Sequence, residues 1–208
     1  LGIFRVFGRS MEIFMGSLLA GDNAAVPSPY DFALGGKGLD PSLPGGVSGT
    51  LLQAGQCFMV DMGGNFYGYM GDMSRVFSIG KLPEQAYAAH QTCLETQEEI
   101  VAMAKPGTVC EDMYNKAIEI VTKAGFADYF MGVDQKAKFI GHGIGLEINE
   151  MPVLAPRMKQ ELEPGMVFAL EPKIVLPGIG PVGIENSWAV TTDGLEKLTL
   201  CKEEIIEL

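Results

Sequence analysis

Four carboxylates and one histidine stand where a chain of this kind could do chemistry. Asp61 lies in the buried-type run Cys57-Phe58-Met59-Val60-Asp61-Met62, and Asp72 follows it across Gly63-Gly64-Asn65-Phe66-Tyr67-Gly68. Glu171 sits in a second such run, Met166-Val167-Phe168-Ala169-Leu170-Glu171-Pro172, and Glu185 follows it across Leu176-Pro177-Gly178-Ile179-Gly180-Pro181. Read as hairpins, these segments set Asp61 opposite Asp72, with the turn centred between residues 66 and 67, and Glu171 opposite Glu185, centred on Gly178. His142 lies between the two hairpins in Gly141-His142-Gly143-Ile144-Gly145, where its glycine neighbours are expected to leave a side open to a ligand.

Like charges facing each other across a strand pair are destabilising. Facing Cβ atoms lie about 5 Å apart, and at an effective dielectric of about 20 two anions at that distance repel by about 3 kcal/mol. Protonating one member of each pair would relieve this, and so would a divalent cation. Carboxylates seldom occupy the ends of buried strands without a partner. Two divalent ions would match four carboxylates and a neutral imidazole, and an oxygen-rich set of this kind suits Mn²⁺, Co²⁺, Fe²⁺ or Zn²⁺, with Mn²⁺ the first choice. Two ions about 3.5 to 4 Å apart can share a water, lower its pKa and clamp a carbonyl or phosphoryl oxygen.

The rest of the chain has to position those five residues. Its 208 residues, 47% of them hydrophobic, are enough for one sizeable core. The formal net charge of -11 and the lack of a basic stretch argue against nucleic acid or an anionic membrane as partner. No uncharged apolar run reaches about 18 residues. Arg5, Arg9 and Glu12 break the apolar start and with it a signal-peptide reading. Cys57, Cys93, Cys110 and Cys201 are scattered without a CxxC pair, which fits small buried hydrophobes in a reducing, cytoplasmic setting. The chain opens on Leu1 rather than Met, as an N-terminally truncated one would.

Residues 3–7 and 13–19 read as short strands, with a helix the alternative for the second, followed by a Pro/Gly-rich loop over 21–49. Pro83 suits the first position of a helix running to about residue 105, with Ala86, Cys93, Ile100 and Tyr87, Leu94, Val101 as its apolar stripe. His90 falls on that stripe and reads as structural. Thr108 and Glu111 have capping-box spacing for a second helix, with Met113, Ala117, Ile120, Val121 and Ala124 inward and Gly125 ending it. Residues 195–200 are expected to add an edge strand. An acidic hairpin occurring twice is what two related halves around one site would give, and the helices that precede only the second are consistent with a missing start. The expectation is an α+β chain forming a single domain over 1–208.

These segments resemble the M24 metallopeptidases: the prolidases (Xaa-Pro dipeptidases), aminopeptidase P and the methionine aminopeptidases. The resemblance rests on Val60-Asp61-Met62-Gly63, Gly71-Asp72-Met73-Ser74-Arg75-Val76-Phe77, Gly141-His142-Gly143-Ile144-Gly145-Leu146-Glu147, Glu163-Pro164-Gly165-Met166 leading into Glu171-Pro172, and Gly183-Ile184-Glu185-Asn186. It implies the pita-bread (creatinase/aminopeptidase-like) fold, a curved, mostly antiparallel sheet with helices on its outer face and pseudo-two-fold halves. It also implies two divalent metal ions: Asp61 chelating one, Asp72 and Glu185 bridging both, His142 and Glu171 completing the other, and Glu171 accepting a proton from a bridging hydroxide's parent water. The short interval between Glu171 and Glu185 is similar to the prolidase branch, whose N-terminal domain is expected to be missing here.

The pattern departs from that branch in three places. A second histidine of the family falls at Asn149, which can donate a hydrogen bond but cannot transfer a proton at neutral pH. An earlier one falls near Leu43-Pro44, and an arginine before the last glutamate falls at Gly183. The resemblance therefore implies removal of the N-terminal residue from short peptides, with proline second, Glu171 and Asn149 being the catalytic candidates. A homodimer is compatible with it. The alternative is a weak or silent pita-bread module that keeps the site and binds metal, peptide or protein. A metal-independent hydrolase of the creatinase type ranks last, because such enzymes lack the acidic ligand set. Tyr30 and Lys37 of the Gly/Pro-rich loop are candidates for a pocket wall.

Overall fold

The computed structural model describes residues 2–6, 9–13, 16–27, 34–38, 40 and 48–208. It begins with the antiparallel strands β1 (Gly2–Val6) and β2 (Arg9–Ile13), then β3 (Ser17–Ala20) and a short 3₁₀ turn over Gly21–Ala25. Tyr30, Leu43 and Pro44 lie outside the described residues. Lys37 is exposed, and its backbone N–H donates to Asn23 Oδ1.

β4 (Cys57–Phe66) and β5 (Tyr69–Ser78) form the first acidic hairpin. Its register differs from the expectation. Asp61 faces Ser74, and Asp72 faces Gly63. The strands run on through the glycines to Phe66 and Tyr69, so the loop is only Tyr67-Gly68. Both loop residues have positive φ, 52° and 89°, as a two-residue type I′ turn demands. The turn centre therefore moves one residue along the chain and the two acids become diagonal neighbours on one strand face rather than opposites. β3 adds on the far side of β4, pairing Ser17 with Asp61.

Helix α1 (Glu84–Met103) starts directly after Pro83, which occupies the cap rather than the first turn. Ala86, Cys93 and Ile100 are fully buried, and Tyr87, Leu94 and Val101 flank the core. α2 (Cys110–Lys123) buries Met113, Ala117 and Val121, leaves Ile120 half-buried, and ends at Gly125 with φ 81°. Two details of the second helix are corrected. Ala124 is exposed at the C-cap. No capping box forms, because Thr108 Oγ1 accepts from the Lys105 N–H while Glu111 takes Lys159 and the Arg157 N–H.

The rest of the chain contributes eight short strands: β6 (Gly141–Gly143), β7 (Glu150–Val153), β8 (Val167–Leu170), β9 (Lys173–Leu176), β10 (Gly180–Gly183), β11 (Asn186–Val190), β12 (Leu195–Lys197) and β13 (Ile206–Glu207). Five of them are ordered β12-β11-β8-β6-β7, so the expected edge strand is present, though it ends at Lys197. The second acidic segment keeps its expected register throughout. Leu170 pairs with Asn186 in β8–β11, and Lys173 pairs with Gly183 in the inner β9–β10 hairpin. Glu171 and Glu185 face each other at the break between those two ladders, where Pro172 offers no N–H. Helix α1 packs on β9 and β10, and a second sheet, β13-β5-β4-β3, lies beside β10 and β11.

Candidate metal centre

The two acidic hairpins meet edge to edge through β5 and the segment before β11. Ser74 and Glu185 form an antiparallel bridge, and the Ser74 hydroxyl donates to Glu185 Oε2 at 2.5 Å. Arg75, beside it, donates Nη1 to the carbonyls of Ser74 and Glu185 and Nη2 to Asn186 Oδ1, and its Nε reaches the Lys202 carbonyl. Ser187 Oγ donates to the Asp72 carbonyl at 3.0 Å. One buried guanidinium thus ties Asp72's strand, Glu185's segment and the C-terminal chain together.

β6 carries His142 into this junction between β8 and β7, pairing it with Ala169 and Val153. The flanking glycines serve packing rather than ligand access, which corrects the expectation from sequence. A Cβ at Gly141 would come within 2.3 Å of the Ala169 carbonyl oxygen, and one at Gly143 within 2.3 Å of that of Met151. Only glycine lets the neighbouring backbones close around the histidine. His142 Nδ1–H donates to the Gly143 carbonyl at 3.0 Å, which fixes the ring orientation and turns Nε2 toward the acids. Nε2 lies 3.5 Å from Glu171 Oε1 and 3.7 Å from Asp72 Oδ2.

Three of the five sequence-predicted metal candidates converge directly, Glu171 adjoins them through His142, and Asp61 is joined to them through Lys173. Asp72, His142 and Glu185 can each offer a ligand atom within 4.8 Å of the others. His142, Glu171 and Glu185 are buried, Asp72 nearly so, and Asp61 remains 23% exposed at its side chain. Burial, then the charges of Glu185, Asp61 and Glu171, push the Asp72 carboxyl up to about 10. Burial also raises Asp61, against the pull of Lys173 and with Glu185 adding to the rise. A cation bound among these acids would take the place of their protons.

One member of the cluster was not singled out in the sequence. Lys173, 1% exposed, directs Nζ to Glu171 Oε2 at 2.6 Å, Glu185 Oε2 at 2.9 Å and Asp61 Oδ2 at 3.2 Å. Burial opposes its charged form, but Asp61, Glu171 and Glu185 outweigh burial and hold the ammonium well above its ordinary range. A signal existed: Lys173 stands two residues after Glu171, on the same strand face, inside a run that is otherwise apolar.

The remaining candidates lie outside the cluster. Asn149 is exposed in the turn between β6 and β7, and among the described residues no contact joins it to the cluster. Gly183 has φ 141°, and a Cβ there would sit 2.8 Å from Lys173 Cα, so the position packs against Lys173. His90 is structural as expected: its Nδ1 accepts from the Gly183 N–H, and its Nε2 donates to the Glu203 carbonyl at 2.7 Å.

Comparison with known proteins agrees with this geometry. The model of metallopeptidase family M24 matches residues 4–192. The Xaa-Pro dipeptidase of Pyrococcus furiosus is 31% identical over 185 residues, which cover 88% of this chain and 51% of that protein. The Xaa-Pro dipeptidase of Lactobacillus helveticus is 31% identical over 188 residues, 90% of this chain and 45% of that protein. The solved prolidase of Pyrococcus horikoshii OT3 superposes with a TM-score of 0.75 at 27% identity, over 93% of this chain and 49% of that one. The X-Pro aminopeptidase of Thermotoga maritima MSB8 gives 0.77 at 26% identity, over 92% and 48%. The chain spans about half the length of these relatives and has their pita-bread fold. It belongs to the M24 family of metallopeptidases.

Proposed function

We propose that this chain is a metal-dependent exopeptidase domain that removes the N-terminal residue from short peptides, with proline in the second position. The observation that carries the reading is the convergence of Asp72, His142 and Glu185 within 4.8 Å, with Glu171 beside them. The donor set of hard carboxylate oxygens and one imidazole nitrogen fits a divalent ion such as Mn²⁺. When bound, such an ion supplies Lewis acidity toward a carbonyl oxygen and lowers the pKa of water. The relatives named Xaa-Pro dipeptidase support the substrate class.

The chain's own residues have separate tasks in this reading. His142, fixed by the Gly143 carbonyl, orients its Nε2 toward the acids. Glu171 takes the proton of the attacking water and returns it to the departing amine, because its Oε1 faces the imidazole while Oε2 is held by Lys173. The two-ion form of the reading meets Lys173 on the Asp61 side, where an ammonium already neutralises the acids. That same ammonium favours a second reading, a silent module that binds peptide, since it satisfies three carboxylates unaided.

The test is hydrolysis of Xaa-Pro dipeptides and tripeptides by purified protein with Mn²⁺ or Co²⁺, against Glu171→Ala. Loss of at least about 10²-fold in the variant is expected. Equal rates in the two proteins would reject the enzyme reading.

A further inference from the structure

The acid cluster is divided between the ammonium of Lys173 and the imidazole of His142. On one side, the three N–H bonds of the Lys173 ammonium meet three carboxylates from three different segments, Asp61, Glu171 and Glu185. On the other, Asp72 and Glu171 face the imidazole of His142. Glu171 serves both, Oε2 toward the ammonium and Oε1 toward the histidine.

An ion on the Asp61 side would need the oxygens that Nζ already holds. Metal–oxygen bonds are about 2.0 to 2.2 Å long, so an ion on the oxygens that Nζ already holds would stand next to the ammonium, and the two like charges would repel in a buried site. Nor can Lys173 readily swing out. Its backbone is paired to Gly183 in β9–β10, its carbonyl accepts from the Met131 N–H, and its stem packs at Gly183, where even a Cβ would come within 3.3 Å of Lys173 Cγ.

We propose that Lys173 takes the place of one metal ion, so that the chain binds a single divalent cation among Asp72, His142, Glu171 and Glu185. This rests on the metal-dependent reading above. Lys173 is then a positioning residue: it holds Asp61 and orients Glu171 toward the one ion.

Metal-stripped protein is titrated with Mn²⁺ by calorimetry, with the bound ions counted by native mass spectrometry and their coupling read by electron paramagnetic resonance. Wild type is expected to take one equivalent and give the spectrum of isolated ions. Lys173→Ala is expected to take two and give a coupled spectrum. Two adjacent ions in wild type would overturn the inference while leaving the metal-dependent reading intact, and this arm does not require the variant to fold. One ion in both proteins would also overturn it, because the ammonium would not be what excludes the second. No bound ion in wild type would overturn both the inference and the reading beneath it.

Discussion

The hydroxyl of Ser74 lies 2.5 Å from Oε2 of Glu185, and this contact closes the seam between the two acidic hairpins. Both residues are fully buried, so neither can exchange its partner for water. Hydrogen bonds to charged groups contribute about 1.5 to 3 kcal/mol. Ser74→Ala is expected to destabilise the protein by that amount in urea denaturation and to weaken Mn²⁺ binding, since Glu185 loses one of its two fixed partners.

Arg75 is held by five acceptors: the carbonyls of Ser74, Glu185, Cys201 and Lys202, and Asn186 Oδ1. Lysine keeps the charge but not the planar fork that reaches them together. Arg75→Lys is therefore expected to cost about 3 kcal/mol or more, measured by denaturant midpoint, and to expose the C-terminal segment to proteolysis.

Asp72 carries the acid cluster's pH dependence. With its carboxyl raised to about 10 from 3.8, the metal-free folded state binds a proton that the unfolded chain has already lost. That contribution to stability is present below pH 3.8 and is lost as pH rises toward 10. A bound cation displaces the proton, so Mn²⁺ affinity should rise by up to about tenfold per pH unit across neutrality. Calorimetry in buffers of different ionisation enthalpy would show the released proton.

His90 should act in the opposite sense. Burial lowers its pKa from 6.5, ahead of the Glu203 carbonyl bond that works to raise it. The unfolded chain takes a proton first as pH falls, so His90's contribution is full above pH 6.5 and is lost as pH drops through the lowered folded value. Denaturation free energy measured down from neutrality should fall less steeply in His90→Gln than in wild type.

Gly143 positions a predicted ligand without touching a ligand itself. A Cβ there meets the Met151 carbonyl oxygen at 2.3 Å and that of Glu150 at 2.8 Å, so β6 and β7 must separate. Gly143→Ala is expected to cost about 3 kcal/mol and to weaken Mn²⁺ binding through displacement of His142, read by thermal melting with and without the ion.

Much of this arrangement is legible in the residues. The apolar period of α1, the stop at Gly125 and the register that sets Glu171 against Glu185 all follow from local pattern, because each is decided by neighbours in sequence. The first hairpin shows where that ends. Tyr67 occupies a left-handed position that nothing about a tyrosine announces, so the turn closes one residue later than expected and Asp61 comes to face Ser74.

Lys173 is a different kind of miss. Its spacing from Glu171 is visible in the sequence, but only the fold shows that Glu185 and the distant Asp61 meet the same ammonium. The glycines beside His142 were legible as glycines but not for their reason, which lies in backbones of β7 and β8 that pack against them.

Anomalous diffraction at the manganese edge, on crystals grown with Mn²⁺, tests most directly whether this cluster is a cation site. One peak is expected, within about 2.5 Å of His142 Nε2 and among Asp72, Glu171 and Glu185, with Lys173 Nζ still against Asp61. No peak at these residues, with the acids held by Lys173 alone, would contradict the account.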